Sequence, residues 1–276
     1  MAIAPMPSAT MAEAPSIIAG GRRRSASAVH VLDHLDDCVD GLDGDDARLA
    51  IQSCVAPQIS IEPGAWRPPS DPGRCRGWLA LVVIDGLLTR SVEVDGHRAQ
   101  ELLGPGDVLR PWDDDAAAAS IPSTSAWRVI EPATIAVLDD RFAARAARWP
   151  AITVALLHAA VRSSQSKSAI LALTRARRAD ERLLLLFWHL ADRWGRVGAD
   201  GVHVPLRLTH ALLAELVCLR RPTVSMALSD LRERGDLRRL PDGTWRLLPR
   251  SGDHLSAGAT STAQAGGRSR QTQSGR

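Results

Sequence analysis

Two kinds of hydrophobic periodicity divide this chain. From residue 58 to residue 138 apolar residues come in short runs separated by turn-forming pairs, whereas from Pro150 onward they recur at intervals of three and four. The first pattern predicts strands and the second amphipathic helices. Residues 58–61 precede Pro63-Gly64, residues 78–84 end at Asp85-Gly86, and residues 87–94 run to the hairpin signal Asp95-Gly96. Residues 99–103 lead into Gly104-Pro105-Gly106-Asp107, and residues 108–112, 126–130 and 134–138 extend the series. Strands of this length with turns about ten residues apart predict a small β-roll or barrel. Ahead of them Asp43 is placed to cap a short helix over 45–54, with Leu49 and Ala50 inward.

The helical half begins with a long pattern opened by Pro150: Ile152, Leu156, Ala159 or Ala160, Ser163, Ser166, Ile170 and Leu173. That spacing is like the seam of a coiled coil, with small residues permitting close approach, and packing of the helix on its own domain is the alternative. The apolar face is interrupted over 175–179, which predicts a hinge. A helix resumes over 181–194, its segment 183–188 almost wholly apolar, and Gly195, Gly198 and Gly201 end it. Leu212, Leu213, Leu216 and Val217 then mark another helix with Thr209 as its N-cap. A further helix starts at Pro222, whose fixed φ suits a first helical position, and buries Val224, Ala227, Leu228 and Leu231. Arg221, Thr223, Ser225 and Met226 are left outward. After Gly235, apolar Leu237, Leu240, Trp245 and Leu247 flank the turn Pro241-Asp242-Gly243. The pattern from 208 to 248 is a helix-turn-helix followed by a two-stranded wing, and the chain as a whole is α+β.

Charge adds a partner to this picture. Between residues 175 and 250 there are 15 Arg against 9 Asp and Glu, whereas the whole chain carries only +3. The basic excess sits where a phosphate surface would lie. In such a motif the second helix offers its N-terminal residues to base edges in the major groove while the first crosses the backbone. The candidate DNA-contacting residues are therefore Thr209, His210, Arg220, Arg221, Thr223, Ser225 and Met226. Packing of the same unit on another protein is the alternative.

The run Leu-Thr-His-Ala-Leu-Leu-Ala-Glu-Leu-Val from Leu208, followed by Arg-Pro-Thr-Val-Ser-Met-Ala-Leu-Ser-Asp-Leu-Arg-Glu-Arg-Gly from Arg221, resembles the C-terminal module of the Crp/Fnr regulators. The family's readout helix usually opens Ser-Arg-Glu-Thr-Val-Ser-Arg. The resemblance implies that Arg221 contacts guanine and Thr223 a phosphate. Pro222 replaces the family's glutamate and Met226 a second base-reading arginine, which implies an operator unlike the common one. Cys218 stands where a turn glycine is usual, at a cost of about 1 kcal/mol if a left-handed conformation is kept.

The β half, with Leu-Gly-Pro-Gly-Asp-Val-Leu at 103–109, is similar to the family's sensory domain. In cyclic-nucleotide binders a Gly-Glu pair follows that turn and an Arg-Ser or Arg-Ala pair lies downstream. Here Arg110-Pro111 and Thr124-Ser125 take those places, with Asp113, Asp114 and Asp115 between them. Three carboxylates without the phosphate-binding arginine repel an anion, so cyclic AMP is not expected as effector. An effector pocket would include Arg110, Trp112, Thr124 and Ser125. The resemblance implies a homodimer joined along the helix over 151–178, with a sensory domain over 29–150 and a winged helix-turn-helix over 179–250. Double-stranded DNA and RNA polymerase are the implied partners.

What remains excludes other classes. No apolar run approaches the ~18 residues of a membrane-spanning helix. Cys38, Cys54, Cys75 and Cys218 are dispersed, without the close pairing of zinc or iron-sulfur sites, and imply a reducing compartment, the cytoplasm. Residues 1–28 are rich in Ala, Pro and Ser, with Arg22-Arg23-Arg24 in the wrong order for a secretory signal, and Met11 is a second candidate start. Residues 251–276 lack apolar periodicity, and both ends read as disordered. His30 and His34 stand among seven aspartates over 29–46, a weak pattern for a metal and a better one for a solvated acidic segment. No catalytic motif such as Gly-x-Ser-x-Gly or His-Glu-x-x-His occurs, and neither a cofactor nor an enzyme is expected. The alternative to a DNA-binding regulator is a ligand- or haem-sensing module in which DNA contact is secondary.

Overall fold

The structure, a computed structural model, describes residues 27–35, 42–113 and 120–248. The two terminal segments, Cys38, Asp114 and Asp115 lie outside the described residues. In chain order the first half comprises β1 (Ala28–His30), a 3-10 turn (Val31–His34), α1 (Gly44–Ser53), β2 (Val55–Ile61), β3 (Gly64–Trp66), β4 (Ala80–Val94), β5 (His97–Leu103), β6 (Val108–Leu109), a 3-10 turn (Pro111–Asp113) and β7 (Thr124–Leu138). The strands form one antiparallel sheet in the order β1-β2-β7-β4-β5, with β3 on β7 and β6 on β4.

Its spine is the pairing of β4 with β7, from Ala80 opposite Leu138 to Glu93 opposite Thr124. Both strands are longer than their apolar runs predict. Asp85-Gly86 does not end a strand: β4 passes through it with register shifts, and Gly86 (φ 92) lies so close to Pro132 and Ala133 that a Cβ would collide with their backbone. A dipeptide suited to a turn serves here as a bulge, because β7 continues opposite it. By contrast Asp95 (φ 46) and Gly96 (φ 75) turn β4 into β5, as a two-residue hairpin requires. Residues 80–84 are apolar without alternation because both faces are covered. Leu81 and Val83 join Trp112, Trp127, Ile135 and Val137 inside the roll. Ala80, Val82 and Ile84 face the helices with Phe142, Trp149 and Ile152.

On α1 the predicted inward pair divides: Ala50 is buried but Leu49 is exposed, since a ten-residue helix with one narrow contact keeps only one of two adjacent positions inside. Asp43 occupies the N-cap without a side-chain hydrogen bond. His30 lies on β1, its Nδ1 on the Ile51 carbonyl (3.0 Å), and His34 in the following 3-10 turn, so the two do not share an α-helical face.

The second half comprises α2 (Asp140–Ala146), α3 (Pro150–Leu173), α4 (Ala179–Trp194), β8 (Arg196–Gly198), β9 (Gly201–Val204), α5 (His210–Leu216), α6 (Arg221–Glu233), β10 (Leu237–Arg239) and β11 (Trp245–Leu247). α2 is a short helix that the periodicity does not reveal, and its N-cap Asp139 accepts from the Phe142 N–H (2.8 Å). No helix among the described residues is long and apolar enough to cross a membrane.

α3 forms where predicted. Ile152, Ala159 and Leu173 are buried, and Leu156, Ser163, Ser166 and Ile170 half-buried, against the chain's own domains. That predicted row is an internal packing face. A second row, Val154, Leu157, Val161, Ser164, Ser168 and Leu171, repeats at three and four on the opposite side and is exposed. The helix is apolar on two faces, and spacing does not tell which of them the domain takes.

The glycines after α4 do more than end it. β8 and β9 form a hairpin that completes a four-stranded sheet, β10-β11-β9-β8. The core of the C-terminal half, with Leu183, Leu186, Phe187, Leu190, Leu213, Val224 and Trp245, also includes Leu87 and Leu102 from the β-roll and Leu173 from α3. A charged clasp accompanies this apolar docking. Arg193, near the end of α4, places Nη2 2.6 Å from both oxygens of Asp107, and Oδ2 also accepts from the Gly104 N–H at 2.8 Å. Trp194 donates Nε1–H to the Pro105 carbonyl (3.2 Å), and a Cβ at Gly104 would stand 2.9 Å from its ring. The Gly104–Asp107 turn is thus the seat for the end of α4.

Candidate nucleic-acid interface

The interface is built by α5, α6 and the wing. Thr209 caps α5, its Oγ1 accepting from the Leu212 N–H (3.2 Å), as its position predicts. Leu212, Leu213 and Leu216 turn inward, as do Val224, Ala227, Leu228 and Leu231 of α6. The turn between them keeps the left-handed conformation expected of a glycine: Cys218 has φ 53. Arg182 of α4 braces that turn from behind, donating to the Val217 carbonyl (3.0 Å) and to the Ala176 carbonyl in the hinge (2.7 Å). One guanidinium therefore ties the hinge to the helix-turn-helix.

α6 begins one residue earlier than Pro222 predicts. Arg220 is the N-cap and Arg221 the first helical residue, with Pro222 second, where its missing N–H is still harmless. Arg220, Arg221, Pro222, Thr223 and Met226 are exposed, Met226 at 70%. Ser225 is half-buried and shares a 2.9 Å hydrogen bond with His210 Nδ1, which joins the two helices. Burial, and then Arg239 and Arg221, hold the His210 imidazole below its ordinary pKa. Those two arginines, from β10 and α6, place His210 among cations on one surface.

Three further arginines escaped the motif-based reading. Arg238 and Arg239 are exposed on β10, and Arg207 is exposed and donates to the Asp242 carbonyl at the wing's turn (3.2 Å). The local arginine density was the available signal. The turn is held by Asp242 Oδ1, which accepts from the Thr244 N–H (3.0 Å) and hydroxyl (2.7 Å), bonds that draw the Asp242 pKa down. Behind α6, Asp180 accepts from both Arg178 (3.0 Å) and Arg234 (2.6 Å), and these bonds hold its carboxyl far below the usual range.

The predicted effector residues do not come together. Arg110 bonds Asp113 (2.5 Å) and the Leu79 carbonyl and lies over the Trp112 ring, which is itself buried edge-on to Trp78. Thr124 and Ser125 are exposed at the far end of the β4–β7 ladder, opposite Glu93 and Val92, whereas Arg110 lies near Leu81 at the other end. The resemblance gave these residues one pocket, and the β4–β7 ladder sets Arg110 and Thr124 at opposite ends of β4. Among the described residues no group of three or more His, Cys, Asp or Glu is arranged to hold a metal.

Residues 181–250 match a family model described as a Crp-like helix-turn-helix domain. The regulatory protein CysR of Synechococcus elongatus is 37% identical over 82 residues, 29% of this chain and 40% of that protein. The chain thus spans 40% of the length of this curated relative. Among solved structures, FixK2 from Bradyrhizobium japonicum superposes with a TM-score of 0.52 at 20% identity, over 71% of this chain and 93% of that one. A cyclic nucleotide-binding domain containing protein from Listeria monocytogenes superposes with a TM-score of 0.54 at 16% identity, over 68% and 87%. These likenesses carry the fold across both halves of the molecule, and residues 181–250 form a Crp-like helix-turn-helix domain.

Proposed function

We propose that this protein is a transcription regulator that binds a two-fold-symmetric DNA site as a homodimer, one α6 in each major-groove half-site. The observation that carries the reading is the exposed N-terminus of α6, with Arg220, Arg221 and Thr223 presented beside wing arginines Arg238 and Arg239. Arg221 reads a guanine, Thr223 and the wing engage phosphates, and His210 lies along the backbone. Thr209 and Ser225 act through the scaffold, since both are used in internal hydrogen bonds. The two copies join along the exposed row Val154, Leu157, Val161, Ser164, Ser168 and Leu171, whose spacing suits a two-helix seam. Half-sites then lie about one turn, ~34 Å, apart.

The activity is binding in the cytoplasm, with recruitment or occlusion of RNA polymerase as its output and no catalysis. Cyclic AMP does not suit this sensory domain: Thr124-Ser125 lack a guanidinium, and Arg110 is occupied by Asp113 and the Leu79 carbonyl. Selection from a random duplex library, followed by electrophoretic shifts, tests the reading. A palindrome is expected, and Arg221→Ala should relax one base position at a cost of about 1–3 kcal/mol. An unchanged base preference removes Arg221 from readout, and no enrichment at all overturns the function.

A further inference from the structure

Pro222 and Met226 stand four positions apart on α6, so they are neighbours on one face of the helix. Both are exposed, and Met226 keeps 70% of its surface in water. Val224, Ala227, Leu228 and Leu231 satisfy the core from the opposite face, so the Pro222–Met226 strip has no packing role. Around it the surface is cationic: Arg220 and Arg221 precede it on the chain, and Arg238 and Arg239 are exposed on the adjoining wing. An exposed apolar strip at the tip of a readout helix, ringed by arginines, fits one occupant, the edge of a DNA base pair.

Only one base carries an apolar group into the major groove, the C5-methyl of thymine. A thioether side chain is flexible and polarizable and adapts to such a group without needing a hydrogen-bond partner. Proline has no donor, so neither residue rewards the amino or carbonyl edges of cytosine or guanine. We infer that Pro222 and Met226 form an apolar clamp that selects a thymine next to the base pair read by Arg221. The clamp rests on the DNA-binding reading above and gives the chemistry of its specificity.

The test separates the two. After library selection with the full chain, each enriched thymine in the half-site is replaced by deoxyuridine, which removes the methyl and leaves pairing intact. Affinity is measured by fluorescence anisotropy. At one position wild type should weaken about fourfold per half-site, the factor for one methyl-sized group withdrawn from water. Met226→Ala, which truncates an exposed side chain, should bind the thymine and deoxyuridine duplexes equally. Met226→Arg should move the preference toward guanine at that position. The clamp is overturned if the selected half-site holds no thymine, if deoxyuridine changes nothing for wild type, or if it weakens Met226→Ala as much. In each of those outcomes a selected palindrome would leave the DNA-binding reading standing. A library that yields no enriched sequence overturns both.

Discussion

The Arg193–Asp107 clasp is predicted to be costly to break from one side and nearly neutral to remove whole. Asp107 is 8% and Arg193 18% exposed, and two 2.6 Å contacts join them. Burial pushes the Asp107 carboxyl above its ordinary pKa in spite of Arg193 and the Gly104 N–H. Desolvation therefore outweighs the attraction, the usual balance for a buried pair. Asp107→Asn keeps an acceptor for Gly104 but strands a guanidinium that cannot lose its proton. Arg193 retains the Leu102 carbonyl (3.2 Å) and Ser166 (3.4 Å) and some water, so the loss should fall near the low end of the range for such a break, about 3 kcal/mol. Arg193→Met leaves a carboxylate that can take up a proton, so its loss should be smaller and shrink further as pH falls from 7 to 5. Asp107→Asn combined with Arg193→Met should cost less than about 1 kcal/mol. Urea unfolding followed by circular dichroism would show the losses as lower midpoints or as a split into two transitions. A single Asp107→Asn transition within about 0.5 kcal/mol of wild type, the scale of an exposed pair, would refute the argument.

Other consequences follow from the same geometry. Cys218→Gly removes a Cβ from a left-handed turn (φ 53) and should raise stability by about 0.5 kcal/mol after the entropy of glycine is deducted, and a lower unfolding midpoint would contradict this. Leu157→Arg together with Val161→Arg should leave the fold intact and yield a monomer in analytical ultracentrifugation, whereas a persistent dimer would place the seam elsewhere. Burial, then Arg193, hold His189 below its ordinary value of 6.5, so its contribution to stability is present above that pH and is lost as pH falls from there through the depressed folded value. His189→Gln should flatten this part of the stability profile. Phosphates arriving beside Arg239 and Arg221 reverse the field on His210, so DNA binding should take up a proton there and strengthen from pH 8 to pH 6 at constant salt. Isothermal titration in buffers of different ionisation enthalpy reports that proton, and equal uptake by His210→Gln would exclude this histidine.

The helix-turn-helix was legible because its signals are local. Thr209 caps α5, the apolar spacing of Val224, Ala227, Leu228 and Leu231 defines the inner face of α6, and the Asp242-Gly243 turn marks the wing, each signal contained within a few residues. Strand content was legible too, but not strand length. Asp85-Gly86 has the same composition as a hairpin turn, and whether it bends or bulges depends on Pro132 and Ala133, some 46 residues away. The arrangement of Arg110, Trp112, Thr124 and Ser125 was not legible either, because the resemblance gives their order along the chain and not that the β4–β7 ladder sets Leu81 and Glu93 at opposite ends.

By itself the sequence determined α3 to α6, the wing, the α+β class, the arginine-rich surface and the side chains at the tip of α6, since these depend on residue type and short-range spacing, whereas α2 and the β8–β9 hairpin left no such signal. Tertiary structure alone decided which of the two apolar faces of α3 is covered, because Ile152 and Val154 obey the same periodicity and only the neighbouring domain distinguishes them. It also decided that Asp107 meets Arg193 and that Arg182 joins the hinge to the turn. Those contacts bring residues 86 and 35 positions apart to hydrogen-bonding distance, and no local propensity encodes such a meeting.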